Sequence, residues 1–220
     1  MTDLGAIVLC GGRSRRMGRP KAWLPFGPER MLQRVVRLVG EVAGPIVVVA
    51  APGQDLPPLP IGVAIVRDPV SDRGPLQGLA AGLAALPGGV VLAYATATDV
   101  PFLRPDWIRR LVSLIGDHDL AIPDIGGYLH PLAALYRRER ILPAVEALLL
   151  EGRLRPVFLL EVAQARVVDG DAMRPADPDL ATLRNLNDPD DYRVALAEAG
   201  FGPPPVADPG SAPPSPGEGV

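Results

Sequence analysis

The chain has 220 residues, 48% of them apolar, enough for one core-bearing domain with or without a tail, and a formal net charge of -3. That balance argues against a nucleic-acid binder or an anionic-membrane binder, either of which would be basic. A single cysteine, Cys10, excludes an intramolecular disulfide, and with only two histidines it disfavours a structural zinc site.

A reducing cytoplasm is the expected location. No apolar run approaches the roughly 20 residues that cross a bilayer. The N-terminal Met1-Thr-Asp-Leu lacks the basic start of a leader, so no cleavage is expected.

Ala6–Cys10 is a short apolar run that ends in Gly11-Gly12, followed by arginines and Lys21. Glu29–Val42 has helical spacing, with Met31, Leu32, Val35, Val36, Leu38 and Val39 on one face. Ile46–Ala51, Val63–Val66 and Val90–Ala95 read, like Ala6–Cys10, as strands buried on both faces. Leu76–Leu86 follows Gly74-Pro75, a helix start, and Pro105–Ile115 is a further helix with proline in its first turn. Strands alternating with helices predict an α/β fold, three-layered and Rossmann-like, with a mostly parallel sheet.

The second half is less regular. Asp119–Pro123, Leu129–Leu135 and Ala165–Val168 are expected strands. Glu139–Leu150 and Arg155–Glu161 are expected helices. Asp188–Ala199 is the last helix, with Asn187 or Asp188 at its N-cap and Pro189 at its first position. From Pro203 the composition changes, and seven of the last 18 residues are proline. Residues 1–200 therefore form one expected domain and 201–220 a disordered tail.

The chemistry is concentrated where the first strand opens into its glycine-rich, cationic loop. Glycines let backbone N–H groups approach phosphate oxygens, and cationic side chains neutralise the charge. The spacing matches neither a Walker A loop nor the dinucleotide fingerprint. Asp99 lies just beyond the strand Val90–Ala95, and open α/β sheets bind ligands at the carboxyl ends of their strands. A carboxylate there is placed to hold Mg²⁺ against phosphate oxygens.

Leu9-Cys-Gly-Gly-Arg-Ser-Arg-Arg-Met-Gly-Arg-Pro-Lys21 resembles the signature loop of the Rossmann-like nucleotidyltransferases. It is most similar to the molybdenum cofactor guanylyltransferases, whose loop reads Leu-Ala-Gly-Gly, then Arg-Met-Gly and a lysine. Four further segments agree in order and approximate spacing. They are Asp68 with Gly74-Pro75-Leu76-Gln77-Gly78, Thr98-Asp99-Val100-Pro101-Phe102-Leu103, His130-Pro131-Leu132 and Asn185-Leu186-Asn187-Asp188-Pro189.

The resemblance implies transfer of GMP from GTP to the terminal phosphate of molybdopterin, or molybdenum cofactor, with release of pyrophosphate. It implies Lys21 as the cation at the α-phosphate and Asp99 as the Mg²⁺ ligand, with Arg16 also catalytic and, like Arg13, placed to contact the β- and γ-phosphates. Leu9, Cys10, Gly11, Gly12, Arg13, Asp68, Gly74 and Gly78 would contact the nucleotide. His130, Asn185 and Asn187 would face the acceptor. Delivery to apo-molybdoenzymes is implied only at the level of the family.

Cys10 stands where the family has alanine, and Pro20 where its guanylyltransferases have aspartate. Arg-Pro-Lys is more like the related cytidylyltransferases, whereas the paired glycines point to guanine. A cytidylyltransferase on the same acceptor and a sugar-phosphate nucleotidyltransferase therefore stay open. So does a non-catalytic nucleotide-binding module. Structural roles compete at several positions: turn formation or capping at Asn187, packing at Gly78, a turn before proline at Asp68.

Overall fold

The computed structural model describes residues 3–11, 17–68 and 74–202. In chain order the elements are β1 (Leu4–Leu9), a 3₁₀ turn at Lys21–Trp23, β2 (Pro25–Phe26), β3 (Glu29–Arg30), α1 (Met31–Gly40), β4 (Ile46–Ala50) and β5 (Ala64–Arg67). There follow α2 (Pro75–Ala85), β6 (Leu92–Ala97), α3 (Pro105–Leu114), β7 (Leu120–Ile125), β8 (Tyr128–Leu129), β9 (Ala133–Arg137) and α4 (Arg138–Leu150). The chain closes with α5 (Leu159–Val162), β10 (Ala165–Asp169), α6 (Gly170–Met173) and α7 (Pro189–Glu198).

The main sheet has the order β10-β7-β9-β6-β1-β4-β5, with β8 paired to β7. The pairs β6–β1, β1–β4, β4–β5 and β7–β10 are parallel, and β9 is antiparallel to both β6 and β7. β1 lies in the interior of the sheet because both of its faces are apolar. Ala6, Val8 and Cys10 pack on the side of α1 and α3, while Ile7 and Leu9 pack on the side of α2 and α4. These are the three layers expected from alternating strands and helices.

Two glycines set how closely α2 lies on β1. A Cβ at Gly82 would fall 2.4 Å from Ile7 Cγ2, and one at Gly78 would fall 3.1 Å from Leu9 Cδ2. On the opposite layer Trp107 is fully buried and its indole N–H donates to the Ala133 carbonyl at 3.0 Å. A third apolar cluster joins Met17, Leu24, Phe26 and Met31 to Leu186, Tyr192 and Leu196. It docks α7 on the Lys21 segment, and the Tyr192 hydroxyl donates to the Pro25 carbonyl.

Several expectations need correction. The helix expected over Glu29–Val42 starts at Met31, because Glu29 and Arg30 pair with Phe26 and Pro25 in a small hairpin. Gly27, at φ +65°, makes the turn of that hairpin. The strand expected at Val63–Val66 is β5, an edge strand with Ala64 and Ile65 exposed, and is not buried on both faces. Leu129–Leu135 is two strands, broken at His130-Pro131-Leu132. Proline has no N–H for a ladder, and the break lets the chain leave β8 and enter β9 between β6 and β7. Arg155–Glu161 is a 3₁₀ turn, Pro156–Phe158, followed by the short α5.

Candidate active site

The carboxyl ends of β1 and β6 lie side by side, and the connections leave them in opposite directions, β1 toward β4 and β6 toward β7. Such a divergence opens a crevice at that edge. Asp99 sits two residues beyond β6, its side chain 14% exposed. Lys21 reaches it from the 3₁₀ turn, with Nζ 2.7 Å from Asp99 Oδ2. Asn187 Oδ1 lies 3.5 Å from the same Nζ.

Three hydrogen bonds to backbone carbonyls fasten the segments that carry the pair. The Leu186 N–H donates to the Asp99 carbonyl at 3.0 Å, which ties the Asn185–Asp188 segment to β6. Arg34 Nε donates to the Pro101 carbonyl at 2.7 Å, which ties α1 to the same loop. The Leu24 N–H donates to the Lys21 carbonyl at 3.2 Å, and buried Ala22 and Leu24 anchor the turn beneath Lys21.

Asp99 Oδ1 is buried and has no hydrogen-bond partner among the described residues. A buried acceptor left open carries a desolvation cost of about 1–3 kcal/mol, which a cation would relieve. Among the described residues no three His, Cys, Asp or Glu side chains cluster as a metal cage. One carboxylate supplemented by substrate oxygens is how Mg²⁺ is ordinarily held, and the hard oxygen at Asp99 suits it.

At the end of β1, the Thr98 N–H and hydroxyl both donate to the Leu9 carbonyl, at 3.1 and 3.2 Å. The Cys10 N–H donates to the Val49 carbonyl at 2.8 Å. The Cys10 thiol is buried, which pushes its pKa up against the opposing hydrogen bonds of Thr98 and Gln54. Burial thus favours the neutral thiol over the nucleophilic thiolate.

A family model for the MobA-like NTP transferase domain matches residues 6–167. The chain belongs to the MobA-like NTP transferase family. A Mycobacterium tuberculosis H37Rv protein named a probable molybdenum cofactor guanylyltransferase is 36% identical over 189 residues, covering 84% of this chain and 89% of the relative. A Mycobacterium avium protein of the same name is 37% identical over 202 residues, covering 90% and 96%. Among solved structures, an Archaeoglobus fulgidus molybdopterin-guanine dinucleotide biosynthesis protein A superposes with TM-score 0.73 at 22% identity, covering 89% of this chain and 98% of that one. A Thermus thermophilus 2-C-methyl-D-erythritol 4-phosphate cytidylyltransferase gives TM-score 0.66 at 17% identity, covering 90% and 99%. These likenesses show that the MobA-like fold is shared by transferases named for different bases and acceptors.

Among the residues expected at a MobA-like site, Leu9, Cys10 and Gly11 lie at the end of β1, and Lys21, Asp99 and Asn187 come together beside them. Asp68 follows β5, its N–H bonded to the Ala50 carbonyl at 2.8 Å. Gly74 caps α2 at φ +77°, a conformation glycine adopts readily. Gly78 faces Leu9 from α2, so its small size serves helix-to-strand packing. Asn185 is exposed on the segment that leads to Asn187. Asp188 is the N-cap of α7, its Oδ1 accepting from the Asp190 and Asp191 N–H groups at 2.9 Å.

His130 lies at the strand break that precedes β9, with its N–H on the Pro123 carbonyl at 2.9 Å. Burial lowers its pKa, opposed by the charge of Asp124. It stands on the same sheet edge as Asp99, at the start of the next strand over. Gly12, Arg13 and Arg16 lie outside the described residues, as does the proline-rich segment 203–220. One residue that bonds the end of β1 escaped the sequence reading, Gln54; Thr98 was read only as the head of the Asp99 segment. The turn signature Ala51-Pro52-Gly53-Gln54 was the available signal for it.

Proposed function

We propose that the protein transfers GMP from GTP to the terminal phosphate of molybdopterin or molybdenum cofactor, releasing pyrophosphate and forming the guanine dinucleotide. The observation that carries this reading is the Lys21–Asp99 pair, 2.7 Å apart, at the crevice where β1 and β6 diverge. The names of the mycobacterial relatives support guanine and the molybdenum cofactor as substrates.

An oxygen of the acceptor phosphate attacks the α-phosphorus of GTP. The bond from that phosphorus to the α–β bridging oxygen breaks, and its electron pair leaves with pyrophosphate. No covalent enzyme intermediate is required, so catalysis is positioning plus electrostatics. Lys21 moves from Asp99 to the arriving phosphates and neutralises charge at the α-phosphate. Gly11, Gly12, Arg13 and Arg16 supply N–H and guanidinium donors to the remaining phosphates. Asp68 and Gly74 flank the nucleoside, while His130, Asn185 and Asn187 orient the acceptor.

Asp99, with its open Oδ1, is the residue we assign to Mg²⁺. A Mycobacterium tuberculosis structure of this fold, solved in complex with manganese, supports a divalent ion (TM-score 0.56, 17% identity). Held by Asp99, the ion would supply positive charge that stabilises the departing pyrophosphate. Transfer of the product to apo-molybdoenzymes in the cytoplasm completes the proposal. No helix among the described residues is long and apolar enough to cross a membrane.

The test is pyrophosphate release with molybdopterin and Mg²⁺, comparing GTP, CTP and a sugar-phosphate acceptor. Release with GTP and molybdopterin supports the assignment. Release with CTP keeps the mechanism and changes the base. Nucleotide binding with no release under any pairing favours the non-catalytic module.

A further inference from the structure

β1 and β4 pair in parallel register as far as Leu9 and Val49, and the Cys10 N–H still donates to the Val49 carbonyl at 2.8 Å. The regular parallel pattern would next put the Ala51 N–H on the Cys10 carbonyl. That rung is taken by a side chain instead. Gln54 Oε1 accepts from the Ala51 N–H at 2.9 Å, and Gln54 Nε2 donates to the Cys10 carbonyl at 2.9 Å. The same nitrogen lies 3.5 Å from Cys10 Sγ. A carboxamide thus replaces direct peptide pairing, and the strands part by its width where β1 gives way to Gly11.

Local sequence puts Gln54 there. In Ala51-Pro52-Gly53-Gln54, proline occupies the second turn position and Gly53, at φ +67°, the third, while the Gln54 N–H returns to the Ala51 carbonyl at 3.2 Å. That is the type II pattern, and it folds the side chain back between the strands. Arg67 Nη1 donates to the Ala51 and Gln54 carbonyls at 3.2 and 2.7 Å, which fastens the turn to the end of β5. With Thr98 on the other flank, the last carbonyls of β1 are clamped from both sides.

We propose that Gln54 is a positioning residue for nucleotide binding: its carboxamide wedges β1 from β4 and aims the Cys10–Gly11 peptide at the head of the glycine-rich loop. It sets nucleotide affinity without touching the reacting atoms. This rests on the reading that a nucleoside triphosphate lies at the carboxyl end of β1. Backbone donors bind phosphate well only when their direction is fixed before the ligand arrives. Without the wedge, Cys10 and Ala51 either lose partners or close on each other, and the first peptide of the loop rotates.

The experiment compares full-length wild type with Gln54→Met, which fills the space but makes neither bond. The readouts are GTP affinity by calorimetry with Mg²⁺ present, the kcat and KM of pyrophosphate release, and thermal unfolding without nucleotide. In Gln54→Met the Kd and KM for GTP rise about tenfold, as the donors at the end of β1 lose their fixed direction. The kcat and the KM for the acceptor stay near wild type, and unfolding stays cooperative.

Should Gln54→Met not unfold cooperatively, Gln54→Glu carries the same expectation, because it keeps the acceptor for Ala51 and loses only the donor to Cys10. An unchanged GTP affinity in a folded variant overturns the role, as does a loss confined to kcat. Wild type that binds no nucleoside triphosphate overturns the nucleotide reading, and the role falls with it. Normal wild-type binding with an unaffected variant removes the role alone.

Discussion

Lys21 and Asp99 neutralise each other at 2.7 Å, and in the proposed reaction both take new partners once a triphosphate arrives. The lysine occupies Asp99 Oδ2, so a divalent ion offered alone competes with a cation already in place. Lys21→Met should therefore bind Mn²⁺ alone more tightly than wild type, as read by electron paramagnetic resonance. The same substitution should lower the kcat of pyrophosphate release by about 100-fold or more, the usual scale for removing a group that stabilises developing charge. Equal or weaker Mn²⁺ binding would show that the pair does not guard the carboxylate.

Cys10 provides a pH test at the same scale. Burial raises the thiol pKa in the folded protein. The folded chain therefore keeps its proton at pH values where the unfolded chain has begun to lose it, above about 8.5. Stability contributed by the neutral thiol is present below that pH and is lost as pH rises toward the folded pKa. Alkylation by iodoacetamide should be slower than for a free thiol at pH 8, and Cys10→Ala should flatten the alkaline fall in melting temperature. Rapid alkylation of the native protein at neutral pH would contradict the burial.

At the scale of elements, α2 and α7 are placed by small chemical devices. Gly82→Ala would set a Cβ 2.4 Å from Ile7 Cγ2, and Ile7 is fully buried. Overpacking of this kind costs about 1–3 kcal/mol, against a helix-propensity gain of at most about 1 kcal/mol. Net destabilisation in urea unfolding is expected, and a net gain would mean that α2 can move off β1. Asp188→Ala removes the N-cap that bonds two N–H groups of α7, an expected loss of about 1 kcal/mol. Because α7 packs on the cluster that supports the Lys21 segment, nucleotide affinity should fall in the same variant.

At the scale of the molecule, we propose one catalytic unit followed by a dispensable tail. The Phe201 ring meets Phe26 edge-to-face at 5.4 Å and covers Gly27, so the packed chain reaches that residue. Truncation after Gly202 should leave pyrophosphate release and the melting temperature unchanged. Truncation after Gly200 should lower stability by about 1–2 kcal/mol through loss of the aromatic contact and its burial.

The central strands were legible because parallel strands buried on both faces leave long apolar runs, as in Ile46–Ala50. The β2–β3 hairpin was not, because strands of two residues are too short to show a period. Lys21 and Asp99 stood out by residue type beside glycine and proline signatures. Gln54 did not, because its role lies in a missing ladder rung that only the register of β1 against β4 reveals.

If Asp99 and Lys21 serve guanylyl transfer, loss of the Asp99 charge must remove it from a folded protein. Pyrophosphate release from GTP with molybdopterin and Mg²⁺ is measured for wild type and Asp99→Asn, with melting temperatures recorded for both. Release by wild type and a fall of about 100-fold or more in a folded Asp99→Asn is the predicted result. Equal release by the two proteins would show that Asp99 takes no part in the transfer.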